Sequence, residues 1–170
     1  VFSGAIEPKK NITRMLKAYA ASNSRLPFVV IGHGGWDNAE DIALLTLMAE
    51  EKQIIWLSYL ERDELMTLVA NAKAMVFTSL AEGFGLPAAE AITLGTPVLA
   101  SSIPALQEVC GKAAIYVNPL SVEEIVEGFR SIDISDSRYQ AAHQASLLDD
   151  HRFSTDQHAA RLAEIVMHLI

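Results

Sequence analysis

The sequence predicts an α/β fold: a doubly wound parallel sheet of about six strands, with helices on its faces and further helices toward the C-terminus. Three observations carry that expectation. Short apolar, β-branched runs alternate along the chain with segments whose apolar residues recur at helical spacing. Little sequence lies between them, and glycines mark several of the turns. Finally, parallel strands need crossovers, and right-handed crossovers put each helix against a sheet face.

Val1 to Ile6 reads as the first strand, and Ile12, Met15, Leu16 and Tyr19 mark one face of the helix after it. Phe28 to Ile31 is a second strand, followed by the glycine turn Gly32-His33-Gly34-Gly35 and a helix with the stripe Ile42, Leu45, Met48 and Ala49. Ile54 to Tyr59 gives a third strand, with Leu65, Leu68, Val69 and Ala72 on its helix. Met75 to Ser79, Pro97 to Ser101 and Ile115 to Val117 continue the cycle. Beyond Val117 the pattern is helical only: Val122 to Ile132, Arg138 to Leu148, and Thr155 to Ile170. Ser154 is placed to cap the last of these, whose stripe is Leu162, Ile165, Val166 and Leu169.

At 170 residues and 51% apolar, the chain can bury one substantial core, and residues 1–170 are expected to form a single domain. No apolar run is long enough to span a bilayer, and no basic segment followed by an apolar core opens the chain. A soluble, cytoplasmic domain is the expectation. The single cysteine, Cys110, allows no internal disulfide and reads as a small buried residue at a helix end. A net charge of −8 argues against a nucleic-acid surface. The histidines show no metal-ligand spacing, so no metal is expected.

The chemistry concentrates in Glu82-Gly83-Phe84-Gly85-Leu86-Pro87-Ala88-Ala89-Glu90. Two carboxylates flank a glycine loop that leaves a strand and opens a helix, with Pro87 in the first turn, where proline is tolerated. Gly83 and Gly85 allow close backbone approach to a ligand, and the amides and positive dipole end of the helix favour an anion. In doubly wound sheets ligands bind beyond the carboxyl ends of the strands, and the Gly4, Gly32 and Glu82 loops all fall at such ends. The segment suits a ligand carrying phosphate and hydroxyls.

Gly4-Ala5-Ile6-Glu7-Pro8-Lys9-Lys10-Asn11, the Gly32 to Trp36 turn, Trp56-Leu57-Ser58-Tyr59 before Asp63-Glu64-Leu65, and the pair Glu82 and Glu90 occur in this order. Gly95-Thr96-Pro97-Val98, Leu106-Gln107-Glu108-Val109 and Arg152-Phe153-Ser154 follow. Together these resemble the C-terminal, donor-nucleotide domain of family 4 retaining glycosyltransferases, one Rossmann-like half of the GT-B architecture. The resemblance implies that Glu90 binds the nucleotide ribose and that Glu82 faces the transferred sugar. It places backbone amides from Phe84 through Gly85 to Leu86 at the sugar and diphosphate, and Tyr59 and Leu60 beside the base. It makes Lys10, seconded by Lys9, the cation that neutralises the diphosphate. That cation would stabilise the departing nucleotide diphosphate as it gains charge in the transition state, so Lys10 and Glu82 are the expected catalytic pair. Where many relatives carry an arginine, this chain has Ala5 and Lys9, and lysine lacks the planar fork that grips phosphate bidentately.

The implied partners are a nucleotide-diphospho sugar (GDP-mannose first, a UDP-sugar second), a glycan or lipid-linked acceptor, and an N-terminal acceptor domain of the same protein. No cofactor is implied, and any peripheral membrane contact would belong mainly to that other domain. Two other readings compete. Gly83 to Ala88 formally satisfies a dinucleotide fingerprint, but it follows the fourth strand, and Ser101-Ser102 stand about 20 residues on, where an acidic ribose ligand belongs. A non-catalytic α/β signalling or partner-binding domain would explain the fold but leave Lys10, Glu82 and Glu90 without a use.

Overall fold

The computed structural model describes residues 1–148. Six strands form, each where an apolar run predicts one: β1 Phe2–Ser3, β2 Val29–Ile31, β3 Ile55–Leu57, β4 Met75–Phe77, β5 Val98–Ser101 and β6 Ala114–Val117. Seven helices join them among the described residues: α1 Ile12–Ser22, α2 Ala39–Glu50, α3 Arg62–Ala70, α4 Leu86–Thr93, α5 Pro104–Cys110, α6 Val122–Ile134 and α7 Ser137–Leu148. The predicted helix from Thr155 to Ile170 and its Ser154 cap lie outside the described residues.

Every strand pairing is parallel, within two three-stranded sheets ordered β1-β2-β3 and β4-β5-β6. The sheets meet along β1 and β4, where the Val76 amide donates to the Val1 carbonyl at 2.7 Å and the Val1 nitrogen to the Ala74 carbonyl at 2.8 Å. Read across this seam, the order is β3-β2-β1-β4-β5-β6, and the strand order reverses between β1 and β4. In sheets of this kind such a reversal at the carboxyl ends is the usual ligand position.

Burial follows position in the sheet. β4 and β5 are buried throughout, whereas β3 has one neighbour and leaves Ile55 half exposed. Helix α1 packs on α2 and α6, while α4 packs on α3, α5 and α7. Tyr19 on α1, Phe28 just before β2 and Phe129 on α6 pack together, with ring centroids 5.0 to 5.5 Å apart. Cys110 is buried as the last residue of α5. Glycine permits one further close approach: a Cβ at Gly128 would collide with Leu99, so α6 lies directly against β5. No helix among the described residues is long and apolar enough to cross a membrane.

Candidate functional site

After β1 the chain passes Gly4, bridges Ile6 to Gly34, and tightens into a 3-10 turn at Pro8–Lys10 before Asn11, at φ 61°, leads into α1. This first loop is tied across the seam. The Leu80 amide donates to the Lys9 carbonyl at 2.7 Å, and the Asn11 side-chain amide donates to the carbonyls of Thr78 (3.0 Å) and Pro119 (2.8 Å). The loop after β4 is thereby held beside the loop after β1.

The result is an ion pair between Lys10 Nζ and Glu82 Oε1 at 2.7 Å, the two side chains only 10% and 8% exposed. The ammonium also lies 4.7 Å from the Phe77 ring centroid, within cation–π range. One of three lysine N–H groups meets Glu82, which leaves donor capacity for an anion.

Beyond Glu82 the backbone turns at Gly85, φ 92°, into α4. A Cβ there would lie 2.6 Å from Leu106 Cδ2, so both conformation and space demand glycine. Gly83 is different, since a Cβ there meets nothing within 4 Å. The Ala88 and Ala89 amides donate to the Gly85 carbonyl, while those of Gly85 and Leu86 meet no backbone carbonyl among the described residues. Pro87 has no N–H, so the open helix end presents few but oriented donors.

Glu90 lies one turn further along α4, 30% exposed, with Oε1 3.0 Å from a terminal nitrogen of Arg62, the first residue of α3. Tyr59 is exposed and Leu60 partly buried on the loop from β3 to α3, and Phe84 and Leu86 are exposed on the glycine loop. Lys9 stands apart from the Lys10–Glu82 pair. Its ammonium meets Glu7 at 3.1 Å, and Glu7 also accepts a hydrogen bond from the indole of Trp36 at 3.2 Å. At the carboxyl ends of β4 and β5 the hydroxyls of Thr78, Ser79 and Ser101 are buried without a hydrogen-bond partner among the described residues.

The structure thus brings Lys10 to Glu82 and sets Glu90 on the same loop–helix unit. It gives Lys9 a different carboxylate. Arg62 was not among the residues predicted from sequence, although it is the only cation between Ser58 and Val69 and follows Tyr59 by three positions. Among the described residues no three of His, Cys, Asp and Glu gather as a metal site.

A family model described as "Glycosyl transferases group 1" matches residues 1–146. The O-antigen chain mannosyltransferase B of Escherichia coli is 35% identical over 129 residues, 74% of this chain and 34% of that protein. The O-antigen chain mannosyltransferase RfbU of Salmonella typhimurium is 34% identical over 117 residues, 68% of this chain and 33% of that protein. The chain therefore spans about a third of the length of these relatives. Among solved structures, Anabaena Alr3699/HepE, crystallised with UDP, superposes with a TM-score of 0.82 at 20% identity, over 98% of this chain and 48% of that one. Sucrose-phosphate synthase of Thermosynechococcus elongatus gives 0.79 at 21% identity, over 99% and 44%. Both likenesses bear on the fold, which matches a little under half of these GT-B glycosyltransferase chains.

Proposed function

Because the chain belongs to the glycosyl transferases group 1, we propose that it is the donor-binding domain of a retaining GT-B hexosyltransferase. Its donor is a nucleotide-diphospho sugar, GDP-mannose first and a UDP-sugar second. Its acceptor is a glycan or lipid-linked saccharide of surface-polysaccharide assembly on the cytoplasmic side. The mannose assignment draws on the two O-antigen mannosyltransferases it resembles.

The observation that carries this reading is the buried Lys10–Glu82 pair beside the open start of α4, with Glu90 on that helix. In an acidic chain this is a local site with both a cation and oriented amides, as a diphosphate requires. Lys10 and the Gly85 and Leu86 amides would hold the diphosphate, Glu82 the sugar hydroxyls, Glu90 the ribose diol, and Tyr59 the base. In transfer, the bond from the anomeric carbon to the phosphate oxygen breaks while the acceptor oxygen bonds on the same face. Its proton passes to the departing phosphate, whose growing charge Lys10 offsets more in the transition state than before it. An N-terminal domain would supply the acceptor side, so the isolated chain should bind donor with little or no turnover.

Titration calorimetry of GDP, UDP, ADP and dTDP tests the site. Selective binding that Glu90→Ala weakens by about 1.5–3 kcal/mol, the worth of a hydrogen bond to a charged group, is the expected result. Absence of nucleotide binding both in the chain and in the longer protein containing it would overturn the reading.

A further inference from the structure

Two carboxylates line the glycine loop, and each already has a cation: Lys10 on Glu82 and Arg62 on Glu90. The two pairs differ in kind. The first is buried, whereas Arg62 is 73% exposed, and an ion pair so exposed contributes little to folding. Its position is more telling than its strength. Arg62 opens α3, directly after the Tyr59-Leu60 loop, and reaches from that loop to α4. The backbone there is fixed, because the Glu61 amide donates to Glu64 Oε2 at 3.2 Å across the first turn of α3.

We infer that Arg62 is a positioning residue for the donor nucleotide, holding Glu90 in the orientation that receives the ribose diol. The inference rests on the proposed role of Glu90. A glutamate side chain free to rotate must be ordered when a ligand arrives, and that ordering opposes binding. Arg62 meets that cost in advance by fixing one oxygen. It does so without consuming the carboxylate: two carboxylate oxygens offer about four lone-pair positions, and a single N–H occupies one. The remaining oxygen, Oε2, and the free lone pair of Oε1 can accept both hydroxyls of a vicinal diol. Lysine at position 62 would keep the charge but not the planar fork.

The test is a calorimetric comparison of wild type, Arg62→Gln, Arg62→Lys and Glu90→Gln, with GDP and UDP and with the 2′,3′-dideoxy form of each as probes. Wild type should prefer the ribonucleotide over its dideoxy form. In Arg62→Gln ribonucleotide affinity should fall about threefold to tenfold, about 0.7–1.4 kcal/mol, with dideoxynucleotide affinity unchanged, so that the preference shrinks. Arg62→Lys should recover part of it. A purely structural role for Arg62 would lower both affinities alike. If Glu90→Gln loses the ribose preference and Arg62→Gln retains it in full, the inference fails and the donor-site reading stands. If Glu90→Gln keeps the preference, the ribose role of Glu90 fails and this inference with it.

Discussion

Replacing Lys10 with methionine removes a charge while keeping most of the aliphatic stem, and so isolates what the ion pair does. At the observed 2.7 Å, the Coulomb attraction is about 6 kcal/mol for an effective dielectric of about 20. Desolvation of the two ions offsets much of that in the intact protein. In the variant, however, the Glu82 carboxylate stays in a site that leaves its side chain 8% exposed, now without a cation. Breaking one side of a buried pair costs about 3–5 kcal/mol, and the residual exposure of both partners points to about 3 kcal/mol here. Adding Glu82→Gln removes the stranded charge, and the double variant should regain about 1–2 kcal/mol of the loss, since a neutral amide is far less costly to bury. Urea unfolding measures both. With m about 2 kcal/mol/M the single variant's midpoint should fall by about 1.5 M, and the double variant's by about half as much. A Lys10→Met midpoint within about 0.5 M of wild type at that m value would refute the reasoning, as would additive losses in the double variant.

Gly85→Ala should destabilise by about 2–4 kcal/mol in the same assay, combining left-handed strain with overpacking on Leu106, while Gly83→Ala should stay within about 0.5 kcal/mol. Thr78→Val removes a buried hydroxyl that lacks a partner among the described residues and should raise the unfolding midpoint; a loss of stability would show that the hydroxyl is satisfied. Asp136 is held below the usual carboxylate range chiefly by the Ser131 hydroxyl, against the opposing push of burial, with further help from the Tyr139 amide and the charge and amide of Arg138. A depressed native pKa gives stability that is present above the ordinary aspartate value and lost as pH falls through the native one, so Asp136→Asn should flatten the acid limb of a stability–pH curve and leave its slope near neutrality alone.

The alternation of strands and helices was legible because period-two and period-3.6 patterns are local properties. Ile12, Met15 and Leu16 are buried together on α1, and Leu45 and Met48 on α2, as their spacing requires. Strand ends were less legible. The expected strand at Ile54 to Tyr59 shortens to Ile55–Leu57, because its ladder with β2 ends at the Ile31–Leu57 pair, and apolar character cannot report where a partner strand stops. The first strand stops at Ser3, since the chain turns through Gly4 and touches β2's side again only at Ile6. Which strands adjoin was not legible either, because no local signal sets Val1 beside Val76. For the same reason the site appeared in sequence as separate roles for Lys10, Glu82 and Glu90, and its ion pairing did not. Lys10 and Glu82 are 72 positions apart, and Arg62 and Glu90 28. Lys9 and Lys10 look alike as neighbours in sequence, yet the 3-10 turn buries one and leaves the other half exposed.

The seam between β1 and β4 has a kinetic meaning. Each βαβ unit on either side closes over a few tens of residues, whereas the bond from the Val1 nitrogen to Ala74 joins positions 73 apart in the chain. Contacts of such long range are slow to find, because the intervening loop must be closed before anything rewards it. The two half-sheets should therefore acquire their helices and local pairings first and zip together last. Lys10 arrives with one half and Glu82 with the other, so the site should not exist until the final docking step. Refolding followed by nucleotide binding should then lag refolding followed by far-ultraviolet circular dichroism, and substitutions along the seam should lengthen that lag.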